Sequence, residues 1–306
     1  MRTGHENGKN LGAHTQRLGR VTASDGTVVG YRQFGRGPGL ILLHGGMMAS
    51  QNFVQLGIAL ADEFTVIIPD RRGRGMSGTY GSEYTITSDC EDVRALVEHT
   101  QASNLFGLSS GAVIALRAAL AIPSIRKVAA YEPPFATAGF DPAHWAPRYD
   151  REIRAGKLGA AMLTVMKGTG DSKFLKCVPR ALLVPLLGLA LRLETKRVVA
   201  GDVAIAKLVP TMHYDAQIVR DSSAWLPELS ALRAELLLIG GSESAVFLRT
   251  ALDALSEMLP SAERLQLDRA GHLAADNTGR PDLVASSLRR FFRERPAAMG
   301  GSNTRG

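Results

Sequence analysis

Along most of the chain, short runs of apolar residues alternate with longer stretches in which apolar residues recur every three or four positions. VTASDGTVVGYRQFG (21–35) predicts two strands around Asp25-Gly26, a strong short hairpin signal. LILLHGG (40–46) is a continuous apolar run closed by glycines, the pattern of a strand buried on both faces. QNFVQLGIALADE (51–63) has helical spacing, and FTVIIPD (64–70) is a second buried strand. TSDCEDVRALVEHTQ (87–101) predicts a helix with an acidic start, capped by Thr87 or Ser88. NLFGLS (104–109) then reads as strand, SGAVIALRAALA (110–121) as helix and IRKVAAYE (125–132) as strand. The alternation resumes late with strands at 234–241 and 263–272 and helices at 245–258 and about 281–293. Strands alternating with helices of this length predict βαβ units and a mainly parallel sheet flanked by helices.

Between Pro133 and Pro227 the alternation stops. Helical periodicity continues there, with several prolines and glycines and no buried strand. The expected organisation is therefore an α/β core formed by 19–132 and 228–294, with a helical insertion at 133–227. Such an insertion belongs over the carboxyl ends of the strands, where open α/β sheets bind ligands. Its most apolar part, ALLVPLLGLALRL (181–193), is too short and too interrupted to span a bilayer. A helix lying on a membrane surface is the competing reading of that segment. Residues 1–18 and 295–306 read as polar tails.

Composition narrows the picture in two ways. The 306 residues are 45% hydrophobic and 21% charged, ordinary values for a globular chain. The formal charge of +7 comes from scattered Arg and Lys. The densest basic group, Arg71, Arg72 and Arg74, lies in a glycine-rich loop and not on a basic helix with interleaved aromatics. Nucleic-acid binding is therefore not expected. The two cysteines, Cys90 and Cys177, form neither a disulfide framework nor a C-x-x-C pair, so a cytoplasmic setting is expected. No apolar run suits a secretory leader or a stable membrane insertion, and no ligand set for a metal is visible.

Chemistry enters at GLSSG (107–111), between a strand and a helix. A serine on a sharp strand-to-helix turn can present its hydroxyl, provided residues two positions to either side lack a Cβ. Gly107 and Gly111 meet that spacing only if Ser109 is the central residue. Ser110 then offers a backbone N–H at the helix start, where no intrahelical acceptor competes. A serine hydroxyl needs a base. His5 and His14 fall in the tail, His99 late on a helix, His44 at a strand end, and His144 and His213 in the insertion. His272, in AGHLA (270–274), follows the last strand and precedes the last helix, the order expected of a base that comes after nucleophile and acid. LLHGGMMAS (42–50) follows the first parallel strand, and its Gly46 is placed to supply the second oxyanion donor. In DRRGRGMSG (70–78), Asp70 and Arg72 are expected to organise a structural loop, since no G-K-[ST] follows for phosphate binding.

LHGG, DRRGRGMSG, GLSSG and AGH, in this order and spacing, resemble the α/β-hydrolase superfamily over roughly residues 17–294. The resemblance implies the α/β-hydrolase fold with a helical cap, a Ser-His-acid triad and no cofactor. Two carboxylates compete for the acid. Glu243, in LLLIGGSES (236–244), sits near the family's commoner position, although Asp is usual there. Glu132, in AAYEPPF (129–135), ends the strand after the nucleophile helix, where zearalenone-lactonase-type relatives carry it. A strand-end glutamate beneath an apolar cap has greater need of a partner than one in a serine-rich loop, which favours Glu132 over Glu243.

The expected activity is hydrolysis of an ester or lactone of a small to medium, largely apolar molecule through an acyl-enzyme. Perhydrolase-type haloperoxidases and C–C bond hydrolases use similar triads, and a non-catalytic ligand-binding member of the fold is a further alternative. A dehalogenase is disfavoured because its nucleophile is a carboxylate. The expected partner is a small-molecule substrate, with a homodimer left open.

Overall fold

The computed structural model describes residues 15–137, 139–170 and 178–293. The sheet has eight strands: β1 (Arg17–Thr22), β2 (Val28–Phe34), β3 (Gly39–Leu43), β4 (Thr65–Pro69), β5 (Asn104–Leu108), β6 (Lys127–Tyr131), β7 (Glu235–Gly241) and β8 (Glu263–Leu267). Their order is β1-β2-β4-β3-β5-β6-β7-β8. β1 and β2 form the antiparallel hairpin around Asp25-Gly26, with the Thr27 N–H donating to Asp25 Oδ1 at 2.9 Å. β2 also pairs antiparallel with β4, and every pairing from β4 onward is parallel. This is the α/β-hydrolase fold, with helices on both faces of the sheet.

The continuous apolar strands are buried on both faces because alternate residues enter different cores. From β3, Ile41 and Leu43 join one cluster, while Leu40 and Leu42 join the other. β7 repeats this with Leu236 and Leu238 against Leu237 and Ile239. The first cluster is covered by helices α2 (Ile86–Thr100) and α3 (Ser110–Ala121), through residues such as Val93, Leu96, Val113 and Leu116. The second is covered by α1 (Val54–Leu60) and the carboxyl-terminal helix Pro281–Phe292, through Leu56, Leu60, Val284 and Leu288.

Several boundaries differ from those expected, each for a local reason. β1 begins at Arg17, inside the stretch read as a tail, because Arg17 and Leu18 pair with Gln33 and Arg32. The helix expected over 51–63 opens with a 3-10 turn, Ser50–Phe53, before α1. α2 starts one residue earlier than expected. Its cap is Thr85 and not Thr87 or Ser88, with the Thr85 N–H donating to Ser88 Oγ at 3.4 Å. The last strand ends at Leu267, so His272 stands in the loop beyond it. Cys90 is buried, whereas Cys177 lies outside the described residues, as do residues 1–14 and 294–306.

Between β6 and β7 the described residues include the helices α4 (Ala146–Arg154), α5 (Leu158–Thr169), α6 (Arg180–Thr195), a short turn at Ile205–Leu208, and α7 (Met212–Trp225). These helices carry their own apolar cluster, including Trp145, Tyr149, Val165, Leu191, Met212 and Val219. From β7 the chain continues through α8 (Val246–Met258), β8 and α9 (Pro281–Phe292).

The packing sets a contrast that mutation can check. Phe106 on β5 is fully buried, and Phe106→Ala is expected to lower the free energy of unfolding by about 3–5 kcal/mol. Leu18 on the edge strand is 63% exposed, so Leu18→Ala should change it by no more than about 0.5 kcal/mol. Urea denaturation of both variants decides. Equal effects would contradict this placement of the core.

Candidate active site

The site begins at a backbone constraint. Ser109 follows β5 directly, with φ 56° and ψ −123°, a sparsely populated conformation, before α3 starts at Ser110. Its N–H donates to the Tyr131 carbonyl at 2.9 Å, and its carbonyl accepts from the Ala112 N–H at 2.9 Å. The flanking glycines are required by close approach. A Cβ at Gly107 would lie 2.4 Å from the Gly111 carbonyl oxygen, and one at Gly111 would lie 2.3 Å from that of Leu43. The turn thus folds tightly back on β3 and projects the Ser109 side chain into a cavity shared with Gly46, Ser110, Asp215 and His272.

His272 is held by two consecutive residues at the end of β6. Tyr131 donates its hydroxyl hydrogen to the Gly271 carbonyl at 2.8 Å, fixing the loop. Glu132, fully buried and with φ 46°, places Oε2 2.7 Å from His272 Nδ1. Its other oxygen accepts the Gly241 N–H at 2.7 Å, so both carboxylate oxygens are engaged. Gly241 can reach Glu132 because β7 is the neighbour of β6. A carboxylate at Nδ1 holds the ring proton on that nitrogen and leaves Nε2 as the basic atom. Glu243 stands elsewhere: it is exposed, its N–H donates to the Ala270 carbonyl at 2.9 Å, and its side chain lines a different cavity.

Beneath the loop that carries Gly45 and Gly46 lies a buried charge network. Asp215 on α7 pairs with Arg71 Nη1 at 2.9 Å and Arg74 Nη2 at 2.6 Å. Its Oδ1 also accepts the Ser110 hydroxyl at 2.7 Å. Arg74 Nη1 donates to the carbonyls of Gly45 at 2.9 Å and Met48 at 3.1 Å, so it ties down the loop that carries Gly46. Arg71 Nε lies 3.6 Å from Asp89, which in turn accepts the Tyr84 hydroxyl. Burial alone would raise the pKa of Asp215, but Arg74 and Arg71 outweigh it and lower it from 3.8 to about 2. Burial alone would lower the pKa of Arg71, yet Asp215 and Asp89 push it up. His44 is fully buried, and desolvation together with Arg74 and Arg71 holds it well below 6.5. Neutral His44 accepts the Arg71 N–H at Nε2 and donates from Nδ1 to the Gly45 carbonyl.

The neighbouring residues of the same glycine-rich loop do structural work. Asp70 accepts the Ser50 N–H at 2.7 Å and the Met76 N–H at 2.9 Å. Arg72 makes a two-point contact with Asp92, at 2.6 and 2.8 Å. A signal for Asp215 did exist in the sequence: it shares one helical face with Met212, Ala216 and Val219, where an unpaired charge is costly. Among the described residues, no group of three His, Cys, Asp or Glu side chains is placed to hold a metal ion.

With fold and site in view, comparison places the chain among known proteins. The profile of the alpha/beta hydrolase fold family matches residues 38–277, and the chain belongs to that family. Over 269 residues it is 27% identical to a pimeloyl-[acyl-carrier protein] methyl ester esterase from Stenotrophomonas maltophilia, covering 87% of this chain and 97% of the relative. The protein of the same description from Xanthomonas campestris pv. campestris (strain B100) is 28% identical over 265 residues, with 86% and 98% covered. A crystal structure of an alpha/beta hydrolase from Sphaerobacter thermophilus superposes with a TM-score of 0.72 at 26% identity, covering 90% of this chain and all of that one.

The buried network makes its own prediction. Asp215→Asn leaves two buried guanidinium groups facing a neutral amide and is expected to cost about 3–5 kcal/mol of stability in urea denaturation. Because the folded-state pKa of Asp215 is depressed, its contribution is present above about pH 4 and is lost as pH falls towards 2. Wild type should therefore lose more stability than the Asn variant across that window. Parallel losses would contradict the pairing.

Proposed function

We propose that the protein is a serine ester hydrolase that works through an acyl-enzyme, with Ser109 as nucleophile, His272 as base and Glu132 as the acid behind it. The observation that carries this reading is the 2.7 Å contact between His272 Nδ1 and a fully buried Glu132, at the rim of the cavity that Ser109 enters. In this mechanism His272 Nε2 takes the Ser109 proton as Oγ attacks the ester carbonyl. The N–H groups of Gly46 and Ser110 stabilise the oxyanion, a contribution of about 3–4 kcal/mol per donor in comparable enzymes. Collapse of the tetrahedral intermediate expels the alcohol, which is protonated by His272. Water activated by the same imidazole then releases the acid.

The cavity favours a small, apolar reacting end. Its volume is about 50 Å³, and Pro134, Trp145, Met212, Val219, Phe247 and Leu248 line it. Pockets that enclose whole drug-sized ligands are usually several-fold larger. A short acyl group or a small alcohol such as methanol fits such a chamber. Esterase relatives that act on a methyl ester support the same choice of bond. Lactones and the perhydrolysis or C–C cleavage run by similar triads fall to second place, since nothing in the lining favours them.

Steady-state kinetics with methyl and p-nitrophenyl esters test the assignment. Ser109→Ala is expected to abolish turnover while moving the melting temperature by only a few degrees. Glu132→Gln should lower kcat about 10³-fold or more, because the imidazole loses its orienting carboxylate, and Glu243→Gln should retain near-wild-type rates. Full activity in Ser109→Ala would overturn the mechanism, and the reverse ranking of the two glutamates would overturn the acid.

A further inference from the structure

Helix α6 presents two opposite kinds of face. Inward, Leu183 and Leu191 are buried, and Gly159 lets α5 approach so closely that a Cβ on it would lie 2.8 Å from the Gly188 nitrogen of α6. Outward, Leu182, Leu186, Leu189 and Leu193 are 65%, 61%, 54% and 46% exposed. Their spacings of four, three and four residues set all four on one narrow stripe of the helix. Four large apolar side chains in a row are not the scattered exposure normal for a protein surface.

Among the described residues, the charged side chains that flank the exposed stripe on this helix and just beyond its end are basic. Arg192 flanks it, and Lys196 and Arg197 continue it past the end of the helix, all three exposed. The groove between α5 and α6 is lined by Lys157 and Arg192 and contains no acidic side chain. Glu194, the acidic residue of this helix, turns inward and accepts the Ile205 N–H at 3.2 Å. Among the described residues no helix is long and apolar enough to cross a membrane.

We propose that the outer face of α6 is a docking surface for an anionic phospholipid interface, on which the helix lies with its leucines among the acyl chains and its basic rim against the headgroups. An apolar stripe edged by Lys and Arg is the arrangement that binds such a surface, where burial and electrostatic attraction add. A second copy of the chain fits less well. Four half-exposed leucines offer only a few hundred Å², short of the ~800 Å² that each partner buries in a stable dimer, and a two-fold axis would bring the basic rims together. The inference does not depend on the ester-hydrolase reading.

Co-sedimentation of the full chain with vesicles tests it. Binding to phosphatidylglycerol–phosphatidylcholine vesicles is expected, at least tenfold stronger than to phosphatidylcholine alone and weakened by raising the salt. Leu186→Glu/Leu189→Glu should lower binding at least tenfold while keeping the circular dichroism spectrum and melting temperature of wild type. If that variant fails to fold, Arg192→Glu/Lys196→Glu should still weaken binding to the anionic vesicles several-fold. Failure of wild type to sediment, equal binding to both vesicle types, or undiminished binding by the variants would overturn the proposal. So would light scattering that shows a wild-type dimer split by the leucine substitutions, without vesicle binding.

Discussion

A carboxylate with no access to water must find partners, and that requirement at Glu132 organises the site. An unpartnered buried charge costs several kcal/mol, so the chain cannot leave Glu132 where it is without satisfying both oxygens. One oxygen is satisfied by the Gly241 N–H from the neighbouring strand and the other by His272 Nδ1. Tyr131 secures the adjoining Gly271 carbonyl. Two successive residues at the end of β6 therefore fix a loop 140 positions away in sequence. The same Tyr131 contributes its carbonyl to the Ser109 N–H. Strand order alone brings these groups together: β5, β6, β7 and β8 are consecutive neighbours, so their carboxyl ends converge.

A second buried charge does different work. Asp215 arrives from the helical insertion and meets Arg71, Arg74 and Ser110 from the core. Arg74 also grips the Gly45 and Met48 carbonyls. The insertion is thereby locked to the segment that carries Gly46, and the start of α3 is held through the Ser110 hydroxyl. In the proposed mechanism these two segments carry the oxyanion donors, and preorganised donors act without rearranging during reaction. The Glu132 pair orients the imidazole, and the Asp215 network stiffens the wall opposite it.

Much of this fold was legible because buried parallel strands leave an unmistakable pattern. LILL (40–43), VIIP (66–69) and LLLI (236–239) are apolar at every position, as two-sided burial demands, and the glycines beyond them mark the loops. Ser109 stood out through the spacing of Gly107 and Gly111, and the coordinates supply the reason: backbone carbonyls occupy the place of each missing Cβ. His272 was selected by its place in chain order, although it stands five residues beyond the end of β8. Each of Glu132 and Glu243 follows a strand end, and the sequence favours Glu132 only through the cost of burying it; the structure adds that Glu132 meets His272 while Glu243 is exposed in another cavity. No motif surrounds Asp215, and its partners lie 141 and 144 residues away, in the loop that also carries Asp70 and Arg72.

Reaction of the folded protein with a fluorophosphonate, followed by peptide mass spectrometry, tests most directly whether this geometry activates the serine. An oriented imidazole and an oxyanion site should drive a stoichiometric adduct onto Ser109, with Ser110 unmodified despite being its neighbour. A natively folded protein that stays unlabelled, or carries the adduct at another residue, would contradict the account.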